Sequence, residues 1–151
     1  MALARASIAI ELPPDRAFGL WADVRRWPTF IDDFAHVESL DSEWPAEGAR
    51  LVWLSKPRGR GRVTQKVTGA ELPFRLQTLI FEDKLNGTQT ATFEPDESGR
   101  TIFELELEYT LAQTGPLAPI TDLLFIRRAL RDSLNRTCAR FASEAREEAS
   151  L

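Results

Sequence analysis

The longest regular pattern of apolar residues lies in the last fifth of the chain, from residue 116 to about residue 149. At ~100° per residue, apolar side chains recur there on one face of a helix. This face contains Leu123, Ile126, Leu130, Leu134, Thr137, Phe141 and Ala145, with Ile120 and Cys138 at its margin. At ~1.5 Å per residue, roughly 30 helical residues extend ~45 Å, so we expect the helix to cross the whole domain.

The residues before this helix predict short strands separated by turns. Apolar and polar residues alternate in residues 7–12, 36–40, 50–55, 62–68, 74–82, 88–94 and 101–112. Turn-forming sequences lie between them, including Asn86-Gly87, and such short connections favour antiparallel neighbours. From Phe74 to Glu82 both alternating sets contain apolar residues, so the register of this strand stays open.

Two short helices are predicted between the first and second strands. Pro13-Pro14 ends the first strand, and Asp15 is an acid suited to a helix start. The run Trp27-Pro28-Thr29-Phe30 places a proline in the first turn of a second helix. The order of elements indicates an α+β fold, in which a curved antiparallel sheet of about seven strands surrounds the long C-terminal helix.

Composition limits the function classes. We expect a single domain over residues 1–151, of which 43% are hydrophobic. The net charge of −4 argues against nucleic-acid binding. One cysteine and one histidine exclude an intrachain disulfide and a typical zinc site, and we expect neither a metal nor a cofactor. Because no apolar run of ~20 residues exists, we expect no integral membrane segment and a cytoplasmic location.

The run Pro-Pro-Asp-Arg-Ala-Phe-Gly-Leu-Trp-Ala-Asp-Val from Pro13 to Val24, followed by Trp27-Pro28-Thr29-Phe30, resembles the START-like (SRPBCC) superfamily, in particular its polyketide cyclase/dehydrase-like branch. The resemblance implies the helix-grip (START/Bet v 1-like) fold, with a cavity between sheet and long helix that takes apolar ligands. Members include lipid carriers, hormone receptors, quinone chaperones and aromatase/cyclases, so the resemblance is more specific for fold than for activity.

The candidate cavity residues are aromatic, apolar or polar side chains expected to face the helix, or helix residues facing the sheet. They are Trp21, Trp27, Phe34, Trp53, Gln65, Leu105, Leu107, Tyr109, Ile120, Arg127, Leu130 and Leu134. Aromatic rings offer flat faces to a ligand, but they also serve as core packing. Arg127 interrupts the apolar helix face. It either clamps an anionic oxygen or forms a salt bridge at the rim.

We expect the protein to bind a small hydrophobic ligand, similar to an aromatic polyketide or a lipid. One alternative is a polyketide aromatase/cyclase or dehydratase acting on a poly-β-keto intermediate, with Arg127 or Tyr109 stabilising an enolate. The resemblance associates such a reaction with a tyrosine and a buried arginine. Here Phe34 stands at the first position, and Gln65 or Lys66 at the second.

A further alternative is a protein-docking module without turnover. A basic hairpin tip runs from Lys56 to Arg62 and carries four cations interleaved with Gly59 and Gly61. Flexible charged loops steer encounters, so an acidic protein partner could dock there. The other interpretation of this tip is a solvated turn that discourages edge pairing. The sequence leaves both open.

Overall fold

The structure is a computed structural model that describes residues 2–111 and 120–151, with side chains in the last helix from residue 123 onward. The strands are β1 (Ala2–Ile10), β2 (Phe34–Leu40), β3 (Arg50–Ser55), β4 (Arg62–Glu71), β5 (Arg75–Phe81), β6 (Leu85–Pro95) and β7 (Thr101–Leu111). The helices are α1 (Pro14–Ala22), α2 (Trp27–Phe30) and α3 (Ile120–Ala149), with a 3₁₀ turn at Val24–Arg26. The predicted helix start at residue 116, the strand end at residue 112 and the side chain of Ile120 lie outside the described residues.

The seven strands form one antiparallel sheet in the order β1-β7-β6-β5-β4-β3-β2. Strands β2 to β7 follow one another as a meander, and β1 joins beside β7 at the far edge. The two short helices connect the two edge strands, β1 and β2, and α3 packs mainly on β1 and α2. The predicted helix-grip architecture is therefore confirmed.

Two local features of the sheet could not be predicted correctly from the sequence. In β5 the buried set is Leu76, Thr78 and Ile80, which resolves its register. The predicted turn at Asn86-Gly87 is wrong, because β6 already begins at Leu85 and both residues pair with β7. A Cβ atom at Gly87 would lie 2.5 Å from the carbonyl oxygen of Glu108, so this glycine permits the close approach of β6 to β7.

The two halves of α3 pack differently. In the second half, Phe141 is fully buried, and its ring centroid lies 4.7 Å from that of Phe103 and 5.1 Å from that of Phe30. The small buried residues Ala4 and Ala6 of β1, the strand on which α3 mainly packs, allow the helix to lie close to the sheet. In the first half the apolar residues are half-buried or exposed, namely Leu123, Leu124, Phe125, Ile126 and Leu130.

A buried carboxylate fixes the middle of α3 to the α2–β2 connection. Asp32 accepts hydrogen bonds from Ser133 Oγ at 2.7 Å and Arg136 Nε at 3.0 Å, and from Arg140 Nη1 at 3.2 Å. Its backbone N–H donates to Thr137 Oγ1 at 3.0 Å. Burial raises the pKa of Asp32, but the hydrogen bonds from Arg136 and Ser133 and the charges of both arginines outweigh burial, so the pKa is lowered overall.

We expect Asp32→Asn to lower the free energy of unfolding at pH 7 by about 2 kcal/mol, because hydrogen bonds to charged groups contribute roughly that much. A lowered folded-state pKa contributes stability above the unfolded value of 3.8 and loses it as the pH falls through the folded value. The stability difference from wild type should therefore shrink below about pH 4 in urea titrations at several pH values.

Asp33→Asn is the matched control, since the neighbouring Asp33 is exposed and asparagine tolerates its left-handed backbone (φ 61°). It should leave the unfolding midpoint near that of wild type. Equal losses of stability in both variants, or a loss for Asp32→Asn that does not depend on pH, would contradict the role of Asp32 in holding α3 in place.

Candidate functional site

A cavity of about 320 Å³ lies under the first half of α3, at the end of the sheet where the helix is less buried. We call it the outer cavity. Its apolar wall is formed by Leu85, Leu111, Ile126, Ala129 and Leu130. Its polar wall comes from the α2–β2 connection, the β3–β4 connection and the β5–β6 turn, through Asp32, Asp33, Arg58, Arg60, Glu82 and Lys84. The exposed Phe125 also contributes to the lining.

A second cavity of about 20 Å³, the inner pocket, adjoins the outer cavity and is deeper in the domain. Asp32, Arg60 and Ser133 line both spaces. Its other walls include Trp21, Trp53, Gln65, Gln89, Leu105 and Leu134. A volume of this size holds about one water molecule or one small functional group.

A buried ion pair lies beside both spaces. Arg60 Nε donates to Glu82 Oε2 at 2.6 Å, and the Glu82 side chain is only 3% exposed. The Arg60 guanidinium lies 5.5 Å from the centroid of the Trp53 ring, within cation–π distance. Burial raises the pKa of Glu82, and the charge of Arg60 offsets only part of that, so the pKa remains raised.

The backbone of the β3–β4 connection allows Arg60 to take this position. Gly61 follows it with a left-handed conformation (φ 79°), which glycine adopts without strain. The N–H of Gly61 donates to Ser55 Oγ at 2.8 Å, and the N–H of Lys56 donates to the Asp33 carbonyl at 2.7 Å. These bonds tie the connection to β3 and to the α2–β2 connection.

Two buried donors at this site have no hydrogen-bond partner within the described part of the chain. They are Trp53 Nε1 and Arg60 Nη2. Neither an indole nor a guanidinium can accept a hydrogen bond, so each requires an acceptor. Because buried donors are nearly always paired, this end of the cavity suits a group that carries an oxygen acceptor.

The structure brings only some of the predicted cavity residues together. Trp21, Trp53, Gln65, Leu105 and Leu134 line the inner pocket, and Leu130 lines the outer cavity. Gln65 Oε1 accepts a hydrogen bond from Thr78 Oγ1 at 3.2 Å.

The remaining predicted residues lie elsewhere. Trp27 is a core residue whose Nε1 donates to the Trp21 carbonyl at 2.7 Å. Phe34 stacks on Trp53, with 5.2 Å between ring centroids, and Leu107 is buried in the core. None of these three lines either space.

Tyr109 and Arg127 are neighbours outside the lining of both spaces. Tyr109 is buried, whereas Arg127 is exposed on α3. Burial raises the pKa of Tyr109, and the nearby charge of Arg127 offsets part of that rise. The role of Arg127 as a clamp on a ligand oxygen stays a prediction.

Neither the Arg60–Glu82 ion pair nor the contacts of Asp32 with α3 could be predicted from the sequence. By sequence, Arg60 belongs to the basic hairpin tip, and Arg62 of the same tip pairs with Glu38 at 2.8 Å. Lys56, Arg58 and Arg62 are exposed. Docking of an acidic partner at the tip stays a prediction. The sequence does contain one indication for Glu82. It is the next alternate position after the buried residues Leu76, Thr78 and Ile80, and its carboxylate is buried as well.

The described residues were also compared with the requirements of a membrane-spanning helix and of a metal site. No helix among the described residues is long and apolar enough to cross a membrane. Within the same part of the chain, no group of three or more histidine, cysteine, aspartate or glutamate side chains is arranged to hold a metal ion.

Solved structures resemble this fold over nearly the whole chain. A Thermus thermophilus protein, TTHA0849, is 19% identical with a TM-score of 0.76, and the match covers 97% of this chain and 99% of that one. The ZhuI aromatase/cyclase from Streptomyces sp. R1128 is 12% identical with a TM-score of 0.74, covering 96% and 93%. A START superfamily protein from Mycobacterium smegmatis is 9% identical with a TM-score of 0.72, covering 96% and 97%. At these identities the likeness shows the fold alone.

A search of curated proteins finds no match to this sequence. A family model does match, over residues 1–146, and it describes polyketide cyclase/dehydrase and lipid transport proteins. This match and the helix-grip fold agree with the resemblance in the Pro13 to Val24 and Trp27 to Phe30 runs. The chain belongs to the polyketide cyclase/dehydrase and lipid transport family.

Proposed function

We propose that this protein binds a small apolar molecule, similar to an aromatic polyketide or a lipid, in the outer cavity. The observation that carries the proposal is a cavity of about 320 Å³ between the sheet and the first half of α3, lined by five apolar residues of β6, β7 and α3 as well as by Phe125. This volume lies within the range of roughly 300 to 1,000 Å³ typical of small-molecule sites.

Packing energetics supports the same conclusion. Ile126 and Leu130 are on the apolar face of α3, but both are only half-buried. A ligand in the outer cavity would remove their remaining apolar surface from water, which contributes about 25 cal/mol per Å². Phe141 and the contacts of Asp32 hold the rest of α3 in place. A ligand can therefore cover Ile126 and Leu130 without a movement of the helix.

We expect Ala129→Phe to lower the affinity for N-phenyl-1-naphthylamine, an uncharged fluorescent probe, by at least about tenfold. Ala129 lines the outer cavity, and a phenyl group there occupies part of the ligand volume. A loss of this size corresponds to about 1.4 kcal/mol. Fluorescence titration of wild type and variant measures it directly.

Ala139→Phe is the matched control, because Ala139 is an exposed residue of the same helix that lines neither cavity. It should bind the probe as wild type does. Equal affinity in all three proteins would place the probe outside the cavity and count against the proposal.

A second candidate function is cyclisation or dehydration of a poly-β-keto intermediate. The observation that favours it is Glu82, a carboxyl with a raised pKa that lines the outer cavity beside Arg60. A carboxyl with a raised pKa inside a cavity is suited to proton transfer. Tyr109 and Arg127, which the sequence suggests as stabilisers of an enolate, line neither space.

We expect the Glu82 carboxyl to titrate above its ordinary value of 4.5 in carbon-13 NMR, and Arg60→Gln to raise its pKa further, because the charge of Arg60 lowers it. A raised folded-state pKa makes the folded protein bind the extra proton, so this group's contribution to stability falls as the pH rises from 4.5 through the folded value. A titration at or below 4.5 would contradict the raised pKa.

Turnover separates binding from catalysis. If the protein is a cyclase, Glu82→Gln should abolish conversion of a poly-β-keto analogue while retaining probe binding. A wild type that binds the analogue without converting it excludes this second candidate and leaves the first in place. The cytoplasmic location and the docking role of the hairpin tip stay predictions from the sequence.

A further inference from the structure

We propose that the inner pocket is a subsite for an uncharged oxygen acceptor, such as a ketone carbonyl, on the molecule bound in the outer cavity. The proposal rests on the proposed function, since the outer cavity must hold the body of the ligand. The two spaces share Asp32, Arg60 and Ser133 in their walls. A ligand in the outer cavity can therefore place one small group in the inner pocket.

The hydrogen-bonding groups of the pocket decide between donors and acceptors. Trp53 is fully buried, and its Nε1 has no partner within the described residues. Arg60 Nη2 is the second buried donor without a partner among the described residues. The Cζ atom of this guanidinium lies 5.5 Å from the centroid of the Trp53 ring. A ketone oxygen has two lone pairs, one for each donor, whereas an ammonium group or another group without a lone pair can accept from neither.

The charges around the pocket decide between a neutral acceptor and an anion. Arg60 is already balanced by Glu82, whose side chain is 3% exposed. Asp32 carries a second buried negative charge, and the two arginines that pair with it are about half exposed. A ligand carboxylate in the inner pocket would thus lie beside the buried Asp32, and Arg60, the cation in the pocket lining, is already paired with Glu82, so burying that charge is costly.

Three naphthalene probes of similar shape test this subsite. They are 2-acetylnaphthalene with a carbonyl oxygen, 2-ethylnaphthalene without oxygen, and 2-naphthoate with a carboxylate. Trp53→Phe keeps an aromatic ring and removes the N–H. Trp44→Phe is the matched control, because Trp44 Nε1 already donates to the Ala22 carbonyl at 3.1 Å and Trp44 lines neither space.

We expect the affinity ratio of 2-acetylnaphthalene to 2-ethylnaphthalene to fall by about fivefold in Trp53→Phe, the effect of losing one neutral hydrogen bond. The ratio should not change in Trp44→Phe. In wild type, 2-naphthoate should bind more weakly than the ketone at pH 7. The indole N–H signal of Trp53 should move with the ketone and less with the hydrocarbon, which tests the contact without any substitution.

The outcomes separate the two proposals. If ketone and hydrocarbon bind with the same ratio in all three proteins and the Trp53 indole signal moves equally with both, the subsite is wrong and cavity binding stands. If 2-naphthoate binds more tightly than the ketone, the uncharged character is wrong. If no probe binds, the proposed function fails, and the subsite fails with it.

Discussion

The rest of this structure depends on a geometric constraint: a straight helix must pack against a curved sheet. Helix α3 has 30 residues, so it extends ~45 Å. A rod of that length cannot stay in contact with a concave surface along its whole length. The aromatic rings around Phe141 bury the second half of the helix against the sheet. The other half stands away from it, and the cavity forms there.

Two buried carboxylates have opposite relations to their surroundings. Asp32 accepts bonds from three side chains of α3, and its pKa is lowered. Glu82 has one arginine as its partner, and its pKa is raised. Fully satisfied polar networks rigidify a fold, whereas incompletely satisfied ones are costly unless a ligand or water completes them. Asp32 therefore stabilises the helix position, and the Arg60–Glu82 pair is the part of the cavity suited to recognition.

The architecture could be predicted from the sequence because it follows from periodicity. Strand alternation, two proline-marked helix starts and the long amphipathic helix each report on local structure. The cavity chemistry could not be predicted in the same way. Arg60 belongs to a basic hairpin by sequence, and only the register of β5 places Glu82 where it can pair with that arginine. Asp32 follows an aromatic run without any periodic signal, and its partners are about 100 residues away.

The location of a bound apolar molecule tests the central claim most directly. Methyl and indole NMR signals can be followed while 2-acetylnaphthalene is added to the wild-type protein. If the molecule binds in the cavity, the signals of Leu85, Ile126, Leu130 and Trp53 should move together with one dissociation constant, whereas exposed Ile102 should not move. Shifts confined to exposed apolar residues such as Ile102 and Leu72, with no change at Ile126 or Trp53, would contradict it.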